Sequence, residues 1–121
     1  MRKTFKKAER LHRKKLIEEL FNKGSYFYLP PFKVYYLGQQ DLVDNQVLFS
    51  VPKRAFKKAV DRNRLKRQCR EAYRLNKEVF LNDKKFLIGY IYIEKKLIPY
   101  QVIEASILSS FKKMGKTKVN E

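Results

Sequence analysis

The sequence predicts an α+β sandwich, one sheet with helices packed on it, in a single domain of 121 residues. Three observations predict it. Apolar residues recur at helical spacing near residues 8–23, 61–78 and 99–114. Short stretches between them alternate or run apolar, as strands do. No internal repeat or low-complexity segment interrupts the chain. The expected core is residues 8–114, with a loosely ordered basic N-terminus and C-terminal tail.

The first helix is expected from Ala8 to Lys23, where Leu16, Ile17, Leu20 and Phe21 form one stripe. Gly24, after Lys23 in the last turn, reads as its stop. His12 is the sole histidine; without Cys, Asp or Glu at ligand spacing, it reads as a polar helix residue. The aromatic stretch 25–37 is broken by Pro30-Pro31, so the strand proper is Phe32–Leu37, with a short extra strand at Tyr26–Leu29. Alternation sets Phe32, Val34 and Tyr36 against Lys33, Tyr35 and Leu37. A face that pairs Lys with Tyr suits nucleic acid, since a ring stacks a base while the cation takes a phosphate. An ordinary strand with a snorkelling lysine fits equally well.

Gly38–Asn45 is a polar loop and Gln46–Val51 a strand, with Val47, Phe49 and Val51 on one face. Strand, loop and strand suggest an antiparallel hairpin, although Asp44-Asn45 lacks the glycine of a tight turn. Pro52 ends the second strand. A helix follows from Asp61 to Glu78, then a polar link over 81–85. Phe86–Ile93 is almost wholly apolar, the pattern of a strand buried on both faces and inserted beside others. Glu94–Lys96 is a turn. Pro99 opens the last helix, where its missing N–H costs nothing; Ile103, Ile107, Phe111 and Met114 line its inner face and Gly115 ends it. The predicted order is αββαβα, or αβββαβα with the short strand.

Charge points to function. Lys and Arg number 29 against 12 acids, a net charge of +17. Such a field attracts nucleic acid or an anionic membrane and says nothing about fold. Ten basic residues and only two acids, Asp61 and Glu71, fall between Lys53 and Arg74. On the predicted helix, Leu65, Cys69, Ala72 and Tyr73 share one sector, while Arg62, Lys66, Arg70 and Arg74 sweep round to the far side beside Arg64 and Arg67. Like charges four apart cost ~0.2–0.5 kcal/mol per pair before salt screening, with no folding benefit. An anionic partner is the simplest compensation. An A-form RNA helix offers mainly phosphate and 2′-OH, which suits a cationic rod, and Arg grips phosphate bidentately.

Other chemistries find little support. The chain has neither GxxxxGK[ST] nor GxGxxG, and no carboxylate pair stands out for acid–base work. Asp61 and Asn63 could neighbour a hydrated Mg²⁺ or equally cap the helix. Cys69 is alone and on the apolar side, so it reads as a small core residue. No apolar run approaches the ~20 residues of a membrane span, and no apolar region follows the basic N-terminus as in a secretion signal. A cytoplasmic location is expected.

The run Val51-Pro52-Lys53-Arg54, then Lys58-Ala59-Val60-Asp61-Arg62-Asn63-Arg64-Leu65-Lys66-Arg67, then Arg70-Glu71 resembles the signature of the bacterial ribonuclease P protein subunit. Leu20-Phe21-Asn22-Lys23-Gly24 and the strand with Tyr35 resemble the family's first helix and first long strand. The resemblance implies a ribosomal protein S5 domain 2-like fold with an αβββαβα order, one mixed sheet and a left-handed βαβ crossover. It implies that the protein binds the catalytic RNA of ribonuclease P and precursor tRNA, one protein per RNA, and promotes endonucleolytic removal of the 5′ leader. Chemistry would lie with the RNA and its Mg²⁺; no catalytic residue and no cofactor of the protein's own is implied. Lys53, Arg54, Lys58, Arg62, Asn63, Arg64, Lys66, Arg67 and Arg70 would meet the RNA subunit. Tyr35, Phe21, Lys33 and Ile17 would meet the leader. Pro52 stands where the family more often has Ser, Ile17 where an aromatic is common, and Ile91-Tyr92-Ile93-Glu94-Lys95 where an Ala-Arg pair is frequent. The rival readings are a ribosomal-protein-like structural RNA binder and a helical DNA-binding module. The strands between the helices speak against the latter.

Overall fold

The computed structural model describes residues 5–39, 41–80 and 85–115. Three helices and four strands follow in the order α1 (Lys14–Lys23), β1 (Ser25–Leu29), β2 (Phe32–Gln39), β3 (Gln46–Ser50), α2 (Ala59–Asn76), β4 (Lys85–Tyr92) and α3 (Tyr100–Gly115). Short 3₁₀ turns precede α1 at Lys7–Glu9 and follow α2 at Lys77–Val79. The αβββαβα order with the extra strand β1 is the one the sequence implied.

The sheet order is β1-β2-β4-β3. The expected β2–β3 hairpin is therefore wrong. β4 lies between them, antiparallel to β2 and parallel to β3. Its composition explains the insertion: six of its eight residues are buried, without a break from Phe86 to Tyr90 and again at Tyr92, so only a central position covers both sides. The polar loop after β2 thus carries the chain across to a separate edge, and Asn45 Oδ1 there accepts the Phe86 backbone N–H at 2.8 Å. β3, α2 and β4 form a βαβ unit.

One sheet face presents Phe32, Val34, Val47, Phe49, Ile88, Tyr90 and Tyr92 to Leu65, Cys69, Ala72 and Tyr73 of α2 and Ile103, Ile107, Phe111 and Met114 of α3. These are the residues predicted for the inner stripes of the two helices, and all are buried. Aromatic rings fill this layer, with Phe49 stacked on Tyr90 at 5.3 Å and Phe80 on Phe111 at 4.9 Å. Two hydroxyls within it are paired: the Tyr90 hydroxyl meets Ser110 Oγ at 2.6 Å, and the Tyr92 hydroxyl donates to the Lys96 carbonyl at 2.6 Å.

The opposite face is covered more thinly. Leu11, Leu20 and Leu87 are buried there, with Leu16, Ile17, Tyr35, Leu37, Leu42 and Leu48 partly buried around them. α1 supplies this cover, but it begins at Lys14 rather than Ala8. Residues 8–13 are needed elsewhere. Phe5 packs edge-on to Phe49 and Tyr73 at 6.1 and 5.7 Å. Glu9 is buried and receives Lys77 Nζ at 2.8 Å on both oxygens. Arg10 bridges Val47 in parallel fashion, and Leu11 N–H donates to the Val47 carbonyl at 2.9 Å. The segment expected to be loose, as far as its described part from Phe5 on, is a strap along the free edge of β3. His12 accordingly lies in an extended link, exposed, its Nδ1 3.0 Å from the Arg10 carbonyl, and not on a helix.

Gly24 does end α1, in extended geometry (φ −74°, ψ 159°) rather than a left-handed turn. The reason for glycine is room: a Cβ would lie 2.4 Å from the Leu20 carbonyl oxygen and 2.9 Å from that of Tyr36. The Pro30-Pro31 bond joining β1 to β2 is cis. The expected link at 81–84 and the tail at 116–121 lie outside the described residues.

Candidate nucleic-acid interface

Two surfaces carry the residues singled out from the sequence. The first is the outer side of α2. Its inner sector anchors it so firmly that the outer side cannot rotate inward: Leu65, Cys69, Ala72 and Tyr73 are all at most 2% exposed. Burial pushes the Cys69 thiol up to about 12, so it stays a neutral packing group. Asn76, in the same sector, donates to the Ala72 carbonyl and to Glu104 Oε2, both at 2.8 Å.

On the outer side, Arg64, Arg67 and Arg70 are exposed and Lys66 partly so. Among the described residues, no carboxylate lies within ion-pair distance of any of the four. Arg74 differs from expectation: it is held by Glu71, with Nη2 2.8 Å from Oε2, in an exposed i,i+3 pair. Arg62 also differs. Its Nη1 donates to the carbonyls of Phe56 and Lys57 at 2.7 and 3.0 Å. It therefore braces the loop that brings the exposed Lys53, Arg54, Lys57 and Lys58 to the start of the helix.

Neither Asp61 nor Asn63 caps α2. The N-cap position is Lys58, without a side-chain cap, and Asp61 sits inside the first turn, where its charge favours the helix dipole. Among the described residues no three His, Cys, Asp or Glu side chains gather where a metal ion could be held. Asn63 is exposed beside the ridge.

The second surface is the part of the sheet that α1 leaves open. Antiparallel register pairs Tyr26 with Tyr35 and Tyr28 with Lys33, which places all four on one face. Phe21, on the last turns of α1, meets the Tyr35 ring edge-on at 4.7 Å. The next centroid distances are 5.6 Å from Tyr35 to Tyr26 and 5.8 Å from Tyr26 to Tyr28. Lys33 Nζ lies 4.3, 4.9 and 5.5 Å from the ring centres of Tyr26, Tyr35 and Tyr28. Polar interaction with the Tyr35 side chain, and the negative charge that the neighbouring phenols acquire on ionising, hold the Lys33 ammonium above the usual lysine range. Gly89, opposite Tyr35 on β4, forms the floor; a Cβ there would reach Leu20 Cδ2 at 3.2 Å and the Phe21 ring at 3.6 Å.

Phe21, Lys33 and Tyr35, predicted together, are thus brought together. Ile17 is set back, partly buried among the leucines under α1. Tyr26 and Tyr28 were missed. Their signal was available, since alternation through Ser25–Leu29 puts them on one side and a short connection pairs that side with Lys33 and Tyr35. In the sequence Lys95 stood out only as the end of the run that departs from the family's Ala-Arg pattern. With Arg54, Pro52, Ala55, Ile91, Tyr92 and Ile93 it lines a cavity of about 380 Å³ at the end of β4. Lys95 and Pro52, both from stretches that depart from the family's pattern, thus stand in one lining.

Comparison with known proteins bears on the family and the fold. The family model for ribonuclease P matches residues 5–115. A ribonuclease P protein component from Porphyromonas gingivalis is 35% identical over 111 residues, covering 86% of this chain and 81% of the relative. The ribonuclease P protein from Thermotoga maritima superposes with a TM-score of 0.71 at 27% identity, covering 87% of this chain and 96% of that one. The Staphylococcus aureus protein, at 24% identity and a TM-score of 0.71, shares the fold over 91% of this chain and 97% of its own.

Proposed function

This chain belongs to the ribonuclease P protein family, and from that premise we propose that it binds the catalytic RNA through α2 and the 5′ leader of precursor tRNA through the open sheet face. The observation that carries the reading is the row of unpaired cations. Arg64, Lys66, Arg67 and Arg70 lie on a helix whose other side is locked in the core, and no described carboxylate engages them. Left alone they repel one another; a sugar–phosphate backbone removes that repulsion and releases counterions. Lys53, Arg54 and Lys58 extend the same surface from the loop, and Asn63 adds a neutral donor and acceptor within it. Arg62 serves it by holding that loop.

The sheet face suits a different partner. Rings stack unpaired bases and Lys33 meets their phosphates, so Phe21, Tyr35 and Lys33 receive the leader while Ile17 supports them from beneath. Cleavage itself is carried by the RNA and the Mg²⁺ it holds, with the protein fixing the leader and the RNA subunit relative to one another.

Reconstitution tests this. The chain, added to a bacterial ribonuclease P RNA at low Mg²⁺, is expected to raise precursor cleavage and affinity above RNA alone. Replacing Arg64 and Arg67 by Ala should flatten the log–log salt dependence of RNA-subunit binding, by roughly 0.7–0.9 for each phosphate that is no longer neutralised. No gain over RNA alone, or tighter binding to ribosomal RNA fragments, would overturn the proposal.

A further inference from the structure

We propose that Tyr26 and Tyr28, with Lys33 between them, form an additional nucleobase-stacking site on the edge strand β1, so that the leader track continues past Tyr35 onto the outermost strand. The inference rests on the leader reading above and goes beyond the residues assigned there.

Three observations carry it. First, the four rings Phe21, Tyr35, Tyr26 and Tyr28 form an unbroken row with successive centroid distances of 4.7, 5.6 and 5.8 Å. Second, cover ends partway along that row. Phe21 is 36% exposed, whereas Tyr26 and Tyr28 reach 54% and 58%. The strand is held from its other side instead, where Phe27 packs against Tyr36 at 5.5 Å and Lys113 Nζ sits 5.2 Å from its ring centre. Third, the outer rings surround an ammonium rather than a carboxylate. Tyr26, Tyr28, Lys33 and Tyr35 carry one positive and no negative side chain. A positive centre among exposed aromatic side chains matches a single strand, whose bases stack and whose phosphates need a cation.

Cross-strand pairing alone accounts for part of this arrangement, because tyrosines opposite one another and a lysine over a ring stabilise a hairpin. It needs only the contacts within the hairpin, however, and predicts no contact with RNA.

The experiment uses the full chain assembled with a bacterial ribonuclease P RNA and a precursor tRNA carrying one 5-iodouridine at successive leader positions. After irradiation the crosslinked residue is mapped by mass spectrometry. Crosslinks to Tyr26 or Tyr28 are expected from positions adjoining those that reach Phe21 or Tyr35. The double variant Tyr26→Ala, Tyr28→Ala should bind a long-leader precursor roughly tenfold more weakly, a loss that shrinks as the leader becomes too short to reach β1. Tyr26→Phe, Tyr28→Phe, which keeps the rings, should restore binding. Crosslinks confined to Phe21 and Tyr35 overturn the additional site and leave the leader reading standing. An absence of any crosslink to this face overturns both. If sedimentation shows the free chain dimerising and the Ala variant monomeric, with leader affinity unchanged, β1 serves a second copy and the proposal fails.

Discussion

Arg62 turns its guanidinium onto the backbone of Phe56 and Lys57, whereas Arg64, two residues on, stands exposed on the ridge. The two arginines therefore separate stability from binding. Arg62→Ala should lower unfolding free energy by about 1 kcal/mol, the net worth of such hydrogen bonds. Arg64→Ala, on an exposed site, should stay within about 0.5 kcal/mol. Urea midpoints of the free proteins measure both. Equal midpoints would mean that Arg62 braces nothing. A second residue-scale effect concerns Cys69. Its thiol titrates near 9.0 when solvated and is pushed up to about 12 in the core by burial. Above pH 9 the unfolded chain loses this proton first, so stability contributed below that pH is lost as pH rises toward 12. Burial likewise raises the Tyr92 phenol from 10.0 to about 12. The urea midpoint should hold to about pH 9 and then fall; in Cys69→Ala the fall should begin nearer 10.

At the scale of elements, the strap from Phe5 to Leu11 has a checkable role. Glu9 and Lys77 are 9% and 20% exposed at their side chains, and their contact ties the strap to the end of α2. Glu9→Ala leaves Lys77 without this carboxylate but still able to reach some water. The cost should be about 2 kcal/mol in urea denaturation, below the range for a fully buried pair. An unchanged midpoint would show the strap to be passive. The strap is also where the sequence misled. Leu16, Ile17, Leu20 and Phe21 did mark a helix, but the charged residues before them show no apolar period, and their pairing with Lys77 and Val47 depends on tertiary contact alone. α2 and α3 were legible in detail because a locked apolar stripe leaves one orientation. β4 was legible as central because its buried run is nearly continuous. The β2–β3 hairpin misled because adjacency in the chain is a good rule only when nothing more apolar competes for the middle place. The ridge was readable from charge spacing; the ring row was readable only in part, since alternation sets Tyr26 and Tyr28 on one side of a strand but their order beside Tyr35 and Lys33 needs the register of two strands.

For the whole molecule, the sheet separates the two proposed contacts. Phe32, Val34 and Tyr36 of β2 face the layer that holds α2, while Lys33 and Tyr35 of the same strand face away from it. A strand whose side chains alternate can thus serve both surfaces without either sharing a side chain with the other. Energetic independence should follow, since sites without common partners add to within about 0.5 kcal/mol. The test is a two-by-two cycle on precursor affinity in the assembled complex, combining Arg64→Ala, Arg67→Ala with Phe21→Ala, Tyr35→Ala. The ridge pair should change the salt slope of RNA-subunit binding, and the ring pair should change the dependence on leader length. The combined variant should show the sum of the two losses. A clearly smaller combined loss would mean that the surfaces act as one site, with the leader and the RNA subunit meeting across the end of the sheet near Arg54 and Lys95.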